Sequence, residues 1–301
     1  MYHYVRPISG SAYPKIKGLE VKKFIKQIDY LQKNKKIVST KDVINAVKKK
    51  KDLPRGSVWL TFDDGYKDHL EFVAPILEKR GVDACFFPIS EAYNSQRLLD
   101  VNKIHYILGL SKSDNALIKI LKERMLLAGY AKKDFLNLWN SVDKSSRYDS
   151  KNVMFFKKIL QRELPLVIRS KILDEIFEII VGKKQTEISK ELYMSKSDLC
   201  YLYKKGFTIG THTNSHRWLN SLSYAEQKKE ITKSITSLKK ITGNTNGYIM
   251  CYPYGGYNKN TLVLLKEYNC ALAVTTRPGI ANLSKDHRYE LPRLDTNDLP
   301  Q

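Results

Sequence analysis

The sequence predicts an α/β fold, a (β/α) barrel interrupted by a helical insertion. Two flanks of the chain alternate short apolar strands with amphipathic helices, and about a hundred residues between them are almost wholly helical. Three polar motifs also fall just after apolar strands, where barrels of this kind carry their functional groups. At 301 residues the chain is long enough to enclose one large core.

In the first flank, residues 1–5 and 36–39 have the β-branched and aromatic content of strands, 21–31 and 40–49 the apolar spacing of helices, and 58–62 the look of a buried strand. A helix over 68–80 follows, interrupted by Pro75 and ended by Gly81, and 84–89 makes the next strand. The second flank opens on a helix over 197–205 closed by Gly206, then a strand over 207–211. Ser223 and Glu226 have the spacing of a capping box; the helix they open carries Ile231, Ile235, Leu238 and Ile241 on one stripe and ends at Gly243. Strands over 248–252, 271–276 and 289–294, with a helix over 259–267, complete the pattern. The expected boundaries are 1–93 and 195–301 for the barrel and 94–194 for the insertion. In the insertion, Ile172, Leu173, Ile176, Phe177 and Ile180 repeat at helical spacing between Pro165 and Gly182. So long a segment exceeds a loop. It is read either as a cover for the site or as an unrelated stabilising subdomain.

Composition narrows the class. Hydrophobic residues make up 42% and charged residues 28%, which excludes disordered, collagen-like and coiled-coil chains. The most apolar stretch, 164–180, is broken by Arg169, Lys171, Asp174, Glu175 and Glu178, so no bilayer span is expected. The first residues lack the basic-then-apolar order of a signal peptide, and the expected location is cytoplasmic, peripheral at the inner face of the membrane at most. Cys85, Cys200, Cys251 and Cys270 form no C-x-x-C pair and read as reduced core residues. The net charge of +21 suits polyanionic partners such as anionic lipid headgroups or phosphorylated substrates, and equally a lysine-rich solvated surface. No stacking aromatic pattern interleaves the lysines, so no specific nucleic-acid partner is expected.

The chemistry sits in three motifs. Thr61-Phe62-Asp63-Asp64-Gly65 ends a buried strand, and its adjacent carboxylates repel one another unless a metal or a proton stabilises them. Thr211-His212-Thr213-Asn214-Ser215-His216 ends another strand, and imidazoles at i and i+4 can face one ion from a turn or a short helix. Cys251-Tyr252-Pro253-Tyr254-Gly255 follows a third, with Pro and Gly holding backbone N–H groups in a fixed orientation. Taken singly, each is also an ordinary turn.

Together the motifs resemble the polysaccharide deacetylase family, also described as carbohydrate esterase family 4 or the NodB-homology domain. T-F-D-D-G is matched in full at 61–65 and T-H-T-x-x-H in full at 211–216. The resemblance covers the two flanks and implies a distorted (β/α)7 TIM-like barrel. It also implies one divalent ion, Zn²⁺ with Ni²⁺ or Co²⁺ as replacements, held by Asp64, His212 and His216. Asp63 maps onto the family's general base, which takes the proton of the attacking water. The backbone N–H of Tyr254 maps onto an oxyanion donor.

Three departures stand out. Cys251 occupies the place where the family often has the arginine partner of the base, and Arg293 in Leu291-Pro292-Arg293 is the candidate substitute. There is no D-x-x-D-W motif. There is no Leu-x-His motif near the carboxyl end, but Met1-Tyr2-His3 fits an apolar-x-His pattern at the other end and resembles the permuted poly-N-acetylglucosamine-deacetylase subgroup. His3 is then the expected general acid, on a strand beside the last one and reaching in from the side opposite Asp63. His69, His105 and His287 read as surface or packing residues.

The expected activity is metal-dependent hydrolysis of an N-acyl amide, most simply N-acetyl, on an amino sugar linked to a nucleotide or lipid and used in surface-polysaccharide assembly. The alternatives are a deformylase or ring-opening amidase of the same superfamily, and a noncatalytic barrel that binds glycans or anions.

Overall fold

The strands of the predicted barrel are short; the first two lie partly exposed and most of the later ones are fully buried. The computed structural model describes residues 1–95, 97–142 and 149–300. Residues 96 and 143–148, assigned above to the insertion, and residue 301, assigned to the barrel, lie outside the described residues. The chain divides into two compact units. One comprises Met1–Pro7, Gly18–Arg97 and Ser189–Gln301, the other Ile8–Lys17 and Leu98–Ile188.

Among the described residues, the first unit holds seven strands: β1 (Lys36–Ile37), β2 (Ser57–Val58), β3 (Thr61–Asp64), β4 (Cys85–Pro88), β5 (Thr208–Ile209), β6 (Ile249–Cys251) and β7 (Leu272–Val274). Every pairing between these strands is parallel, in the groups β1–β2, β3–β4–β5 and β6–β7. Single bridges extend the row: Tyr2 beside Phe62, Thr211 beside Met250, and Val274 beside Leu291. The strand expected over 58–62 is two, because Val58 pairs with β1 whereas Thr61 onward pairs with β4. The strands expected over 1–5 and 289–294 shrink to single bridges. In the latter, Pro292 follows the paired Leu291 and has no N–H for a ladder.

Helices of this unit bury one face each. Val21–Asn34 turns Phe24, Ile28 and Leu31 inward. Tyr224–Thr242 opens on the Ser223 and Glu226 capping box and closes on Gly243 at φ 74°. The segment expected as a helix over 68–80 begins as a π-turn, His69–Val73, and continues as Ala74–Lys79. Pro75 lies inside this continuous helical run, has no N–H to give a carbonyl of the preceding turn, and follows directly on the wider π-turn. Rings fill the space under β3 and β4: Tyr2 stacks on Phe62 at 5.0 Å and Phe62 on Phe86 at 5.1 Å.

The second unit is helical, with Asp100–Leu110, Asp114–Leu127, Lys132–Asn140, Lys151–Lys158 and Leu166–Ile180. Leu117, Leu121, Phe155, Phe156, Ile176 and Phe177 are among its buried apolar residues. Ile8–Lys17 joins it from the amino-terminal side, with Tyr13 edge-on to Tyr106 at 4.6 Å and the Lys15 amine donating to the Ser111 carbonyl at 3.1 Å. Among the described residues, no helix is long and apolar enough to cross a membrane.

Candidate active site

All four residues of β3 are buried. Asp63 stays within the strand, whereas Asp64 turns out of it with φ 73°. Gly65 continues that turn with φ 73°, and a Cβ there would lie 2.7 Å from the Pro88 Cβ, so only glycine fits. Thr213 (φ 63°), His216 (φ 57°) and Tyr254 (φ 56°) share the left-handed conformation. Among the described residues, four of the six non-glycine residues with positive φ therefore stand in the three motifs, the distribution expected where a fold holds strained backbone for function.

The two neighbouring carboxylates have opposite surroundings. Asp63 meets a guanidinium fork: Arg293 Nη1 donates to its Oδ1 at 2.8 Å and Nη2 to its Oδ2 at 2.7 Å. Arg293 is itself fixed through Nε to the Thr275 carbonyl at 2.9 Å and through Nη1 to Thr61 Oγ1 at 3.0 Å. Burial pushes the Asp63 carboxyl up, but the Arg293 charge and hydrogen bonds outweigh it and hold the group far below the usual carboxylate range. Asp63 is thus held in its anionic form, and its Oδ2 also accepts from the Cys251 thiol at 3.4 Å.

Asp64 is not saturated. Its Oδ2 accepts from the Tyr66 hydroxyl at 2.7 Å, while its buried Oδ1 has no hydrogen-bond partner among the described residues. That oxygen lies 3.4 Å from His212 Nε2 and 3.4 Å from His216 Nε2. Ligands about 2.0–2.2 Å from a tetrahedral ion are about 3.3–3.6 Å apart, so the spacing matches the edges of a coordination shell. His212 Nδ1 sits 2.8 Å from the Cys251 carbonyl, which can only accept. A proton is therefore held on Nδ1, which leaves Nε2 as the nitrogen that would bind an ion. The His216 turn is pinned by Glu230, whose Oε2 accepts from the Asn214 and Ser215 amides at 3.1 and 2.8 Å.

A second group, Asp63, His212 and Cys251, also brings ligand atoms within 4.8 Å of one another. It suits a metal poorly, because Asp63 is committed to Arg293 and the Arg293 Nη2 lies 3.0 Å from the Cys251 Sγ. A cation there would face a buried guanidinium. Asp64, His212 and His216 fit a divalent ion; Asp63, His212 and Cys251 do not.

The remaining candidates surround this centre. His3 Nε2 lies 3.8 Å from Asp63 Oδ2, with its side chain 41% exposed. The segment bearing it is beside β3, through Tyr2 N–H to the Thr61 carbonyl and Asp63 N–H to the Tyr2 carbonyl, both at 2.9 Å. His3 therefore stands against Asp63 and not across the site from it, correcting the expected approach from the opposite side. Tyr254 lies in the turn Pro253–Gly255; its ring is edge-on to His216 at 4.6 Å and stacks on Trp218 at 4.6 Å and 6°. The expected turn or short helix between the two ligand histidines is a turn.

Sequence reasoning did not single out Glu230, Trp218 or the role of His69. His69 is fully buried, its Nε2 2.8 Å from the His3 carbonyl. His287 is exposed beside Glu290. Cys85, Cys251 and Cys270 are buried free thiols and Cys200 is half-buried.

The family model described as polysaccharide deacetylase matches residues 50–127 and 179–273, more than half of the chain. The chain belongs to the polysaccharide deacetylase family. The match runs into the helical segment from both sides and leaves 128–178 outside it. A curated relative, the putative polysaccharide deacetylase YxkH of Bacillus subtilis, is 29% identical over 106 residues, which is 34% of this chain and 36% of that protein. This chain thus aligns with about a third of that relative's length.

Solved structures extend the likeness to the whole fold. The deacetylase PplD of Streptococcus pyogenes, solved with acetate, superposes with a TM-score of 0.59 at 19% identity, covering 98% of this chain and 89% of that one. IcaB of Ammonifex degensii gives 0.59 at 17% identity, covering 99% and 91%. A de-N-acetylase of Aggregatibacter actinomycetemcomitans gives 0.56 at 17% identity, covering 97% and 92%. The family member described here has their distorted (β/α)7 barrel.

Proposed function

We propose that this polysaccharide deacetylase family member hydrolyses the N-acetyl amide of an amino sugar, releasing acetate and a free amine. The observation that carries the reading is the division of labour between adjacent carboxylates, Asp63 gripped by Arg293 and Asp64 turned with an unused oxygen toward two imidazoles. Asp64, His212 and His216 would hold a divalent ion, most simply Zn²⁺, which when bound would supply Lewis acidity toward the acyl oxygen and toward water. Asp63 accepts the proton of the attacking water, with Arg293 fixing its orientation. The Tyr254 N–H donates to the oxygen that gains charge as the carbonyl carbon becomes tetrahedral. His3, partly exposed beside Asp63, gives a proton to the nitrogen as the C–N bond breaks, so the amine leaves neutral. The adjacency of base and acid keeps both proton transfers on one side of the site.

The net charge of +21 favours a substrate form that carries phosphate, such as a nucleotide- or lipid-linked amino sugar. The test is a panel of N-acetylated, N-formylated and ring-amide substrates, including acetylated glucosamine oligomers and nucleotide-linked forms, assayed for acid release with the metal-loaded protein. Acetate from acetylated amino sugars is the expected product. Formate release in preference to acetate, or turnover of ring amides alone, overturns the reading.

A further inference from the structure

We propose that His69 is a positioning residue that fixes the backbone of His3 from the buried side and thereby keeps the His3 imidazole against Asp63. The proposal rests on the reading of His3 as the proton donor. The ladder with β3 is a single bridge at Tyr2, and the next carbonyl, that of His3, takes its hydrogen bond from His69 at 2.8 Å. A carbonyl oxygen can only accept, so the proton of the His69 ring is on Nε2.

The surroundings of His69 leave that bond as the one visible task of its polar atoms. The ring is fully buried among Phe62 at 5.4 Å, Tyr66 at 5.8 Å and Phe86 at 5.7 Å. Its Nδ1 has no hydrogen-bond partner among the described residues. An apolar ring would pack in this cage without the desolvation cost that an unsatisfied buried nitrogen carries. Burial pushes the His69 imidazolium down to about 4, so the ring is neutral at neutral pH and donates one N–H.

The neighbours of His69 grip the same segment. Asp68 receives Arg6 in a fork, Nε to Oδ2 at 2.7 Å and Nη2 to Oδ1 at 2.6 Å. Tyr66, whose hydroxyl donates to Asp64, stacks on Tyr4 at 4.1 Å and 8°. Residues 66, 68 and 69, directly after the Asp-Asp-Gly turn, thus hold residues 4, 6 and 3. The turn that presents the metal-ligand candidate and the base is tied by side chains to the segment that presents the acid.

The experiment compares His69→Phe, which keeps an aromatic ring in the cage without the donor, with His69→Gln, which keeps an N–H near the position of Nε2. Each is assayed as the full-length, metal-loaded chain on an acetylated glucosamine oligomer and on 4-nitrophenyl acetate, whose leaving group needs no proton. Metal content is measured by elemental analysis. His69→Phe is expected to lower the ratio of kcat on the glycan to kcat on the aryl ester by about tenfold, a part of what a general acid contributes. His69→Gln is expected to recover most of that ratio. In a His3→Ala background the Phe substitution should leave the ratio where His3→Ala put it. Equal losses on both substrates, an unchanged ratio, or a Gln variant as impaired as the Phe variant overturns the proposal in favour of packing alone. Should His69→Phe not fold, His69→Met carries the same comparison. If His3→Ala leaves the ratio unchanged, the reading of His3 fails first. If His3→Ala shifts the ratio and His69→Phe does not, that reading stands and the positioning role falls.

Discussion

The barrel unit and the helical unit treat buried charge in opposite ways. Among the described residues, the barrel buries Asp63, Asp64, Asp68, His69, His212, His216, Glu230 and Arg293, while the helical unit buries Lys103 as its one charged side chain. Burying an ionisable group opposes folding unless partners compensate. In the barrel the compensation is local and specific: a fork on Asp63, a pair of backbone amides on Glu230, a carbonyl on His212. Among the described residues, one buried carboxylate oxygen, Asp64 Oδ1, is left without a hydrogen bond. The helical unit instead relies on apolar helix faces, built from residues such as Leu121, Phe156 and Phe177. Chemistry is expected where the fold accepts the expense of ordered charge, and the contrast can be broken or sharpened by substitution.

The largest effect is expected from the ligand set. His212→Ala with His216→Ala removes two of the three donors that converge on one ion, so metal content should fall to background and deacetylation with it, by several orders of magnitude. Elemental analysis checks the first part and acetate release the second. Full occupancy in the double variant would move the metal elsewhere and leave Asp64 as an unexplained buried charge.

Next in size is the fork. Arg293→Gln leaves the Asp63 carboxylate buried without its cation, for which a loss of about 3–5 kcal/mol of stability is expected. Urea unfolding of the metal-loaded chain measures it. Adding Asp63→Asn removes the stranded charge and should recover part of the loss, since the two residues are in direct contact. A single variant as stable as the parent would mean that Arg293 is not the partner of the base.

Asp63→Asn alone should follow, lowering turnover by about a hundredfold or more while the metal stays bound, because an amide has the shape of the carboxylate but no basic oxygen. Near-parental turnover would reduce Asp63 to a turn residue. Together the three variants test whether the barrel's buried charges are a working set.

The parts of this set that were legible in the sequence share a physical reason. Asp63, Asp64, His212, His216 and Tyr254 lie at strand ends, where a run of apolar residues followed by a turn marks position and chemistry within a few residues. The helix Tyr224–Thr242 was legible from its cap and stripe. Its polar residues Gln227, Glu230, Ser234 and Ser237 are also buried and also spaced by three and four, a pattern that could have singled out Glu230. His3 and Arg293 come from chain segments far from the motifs, so the sequence named them as candidates without placing them. Placement depended on pairing with β3, which set His3 beside Asp63. The role of His69 was hidden for the same reason, since its partner is a backbone carbonyl 66 residues away. Likewise, nothing in the composition of Ile8–Lys17 marked it as part of the helical unit.

The smallest effect is expected in the helical unit, at its own buried charge. Lys103 is 1% exposed; its amine is 2.6 Å from Asp174 Oδ1 and 3.3 Å from Asp100 Oδ1. Both carboxylates reach water, with side chains 47% and 27% exposed. Removing the lysine therefore leaves them solvated, and Asp174 keeps a hydrogen bond from Gln185 at 2.9 Å. Lys103→Met replaces the buried stem with an apolar chain that adapts to the same space. Exchanges of buried ionic groups for well-packed apolar ones are often neutral or stabilising. The melting temperature should be unchanged or slightly higher, and kcat/KM on an acetylated amino sugar should stay within about twofold of the parent. The opposite behaviour of Arg293→Gln, whose carboxylate partner has no solvent to return to, would then trace the difference between the units to water access around each charge. A loss of activity of about tenfold or more in a folded Lys103→Met variant, read by the same acetate assay, would put a functional charge in the helical unit and end the contrast.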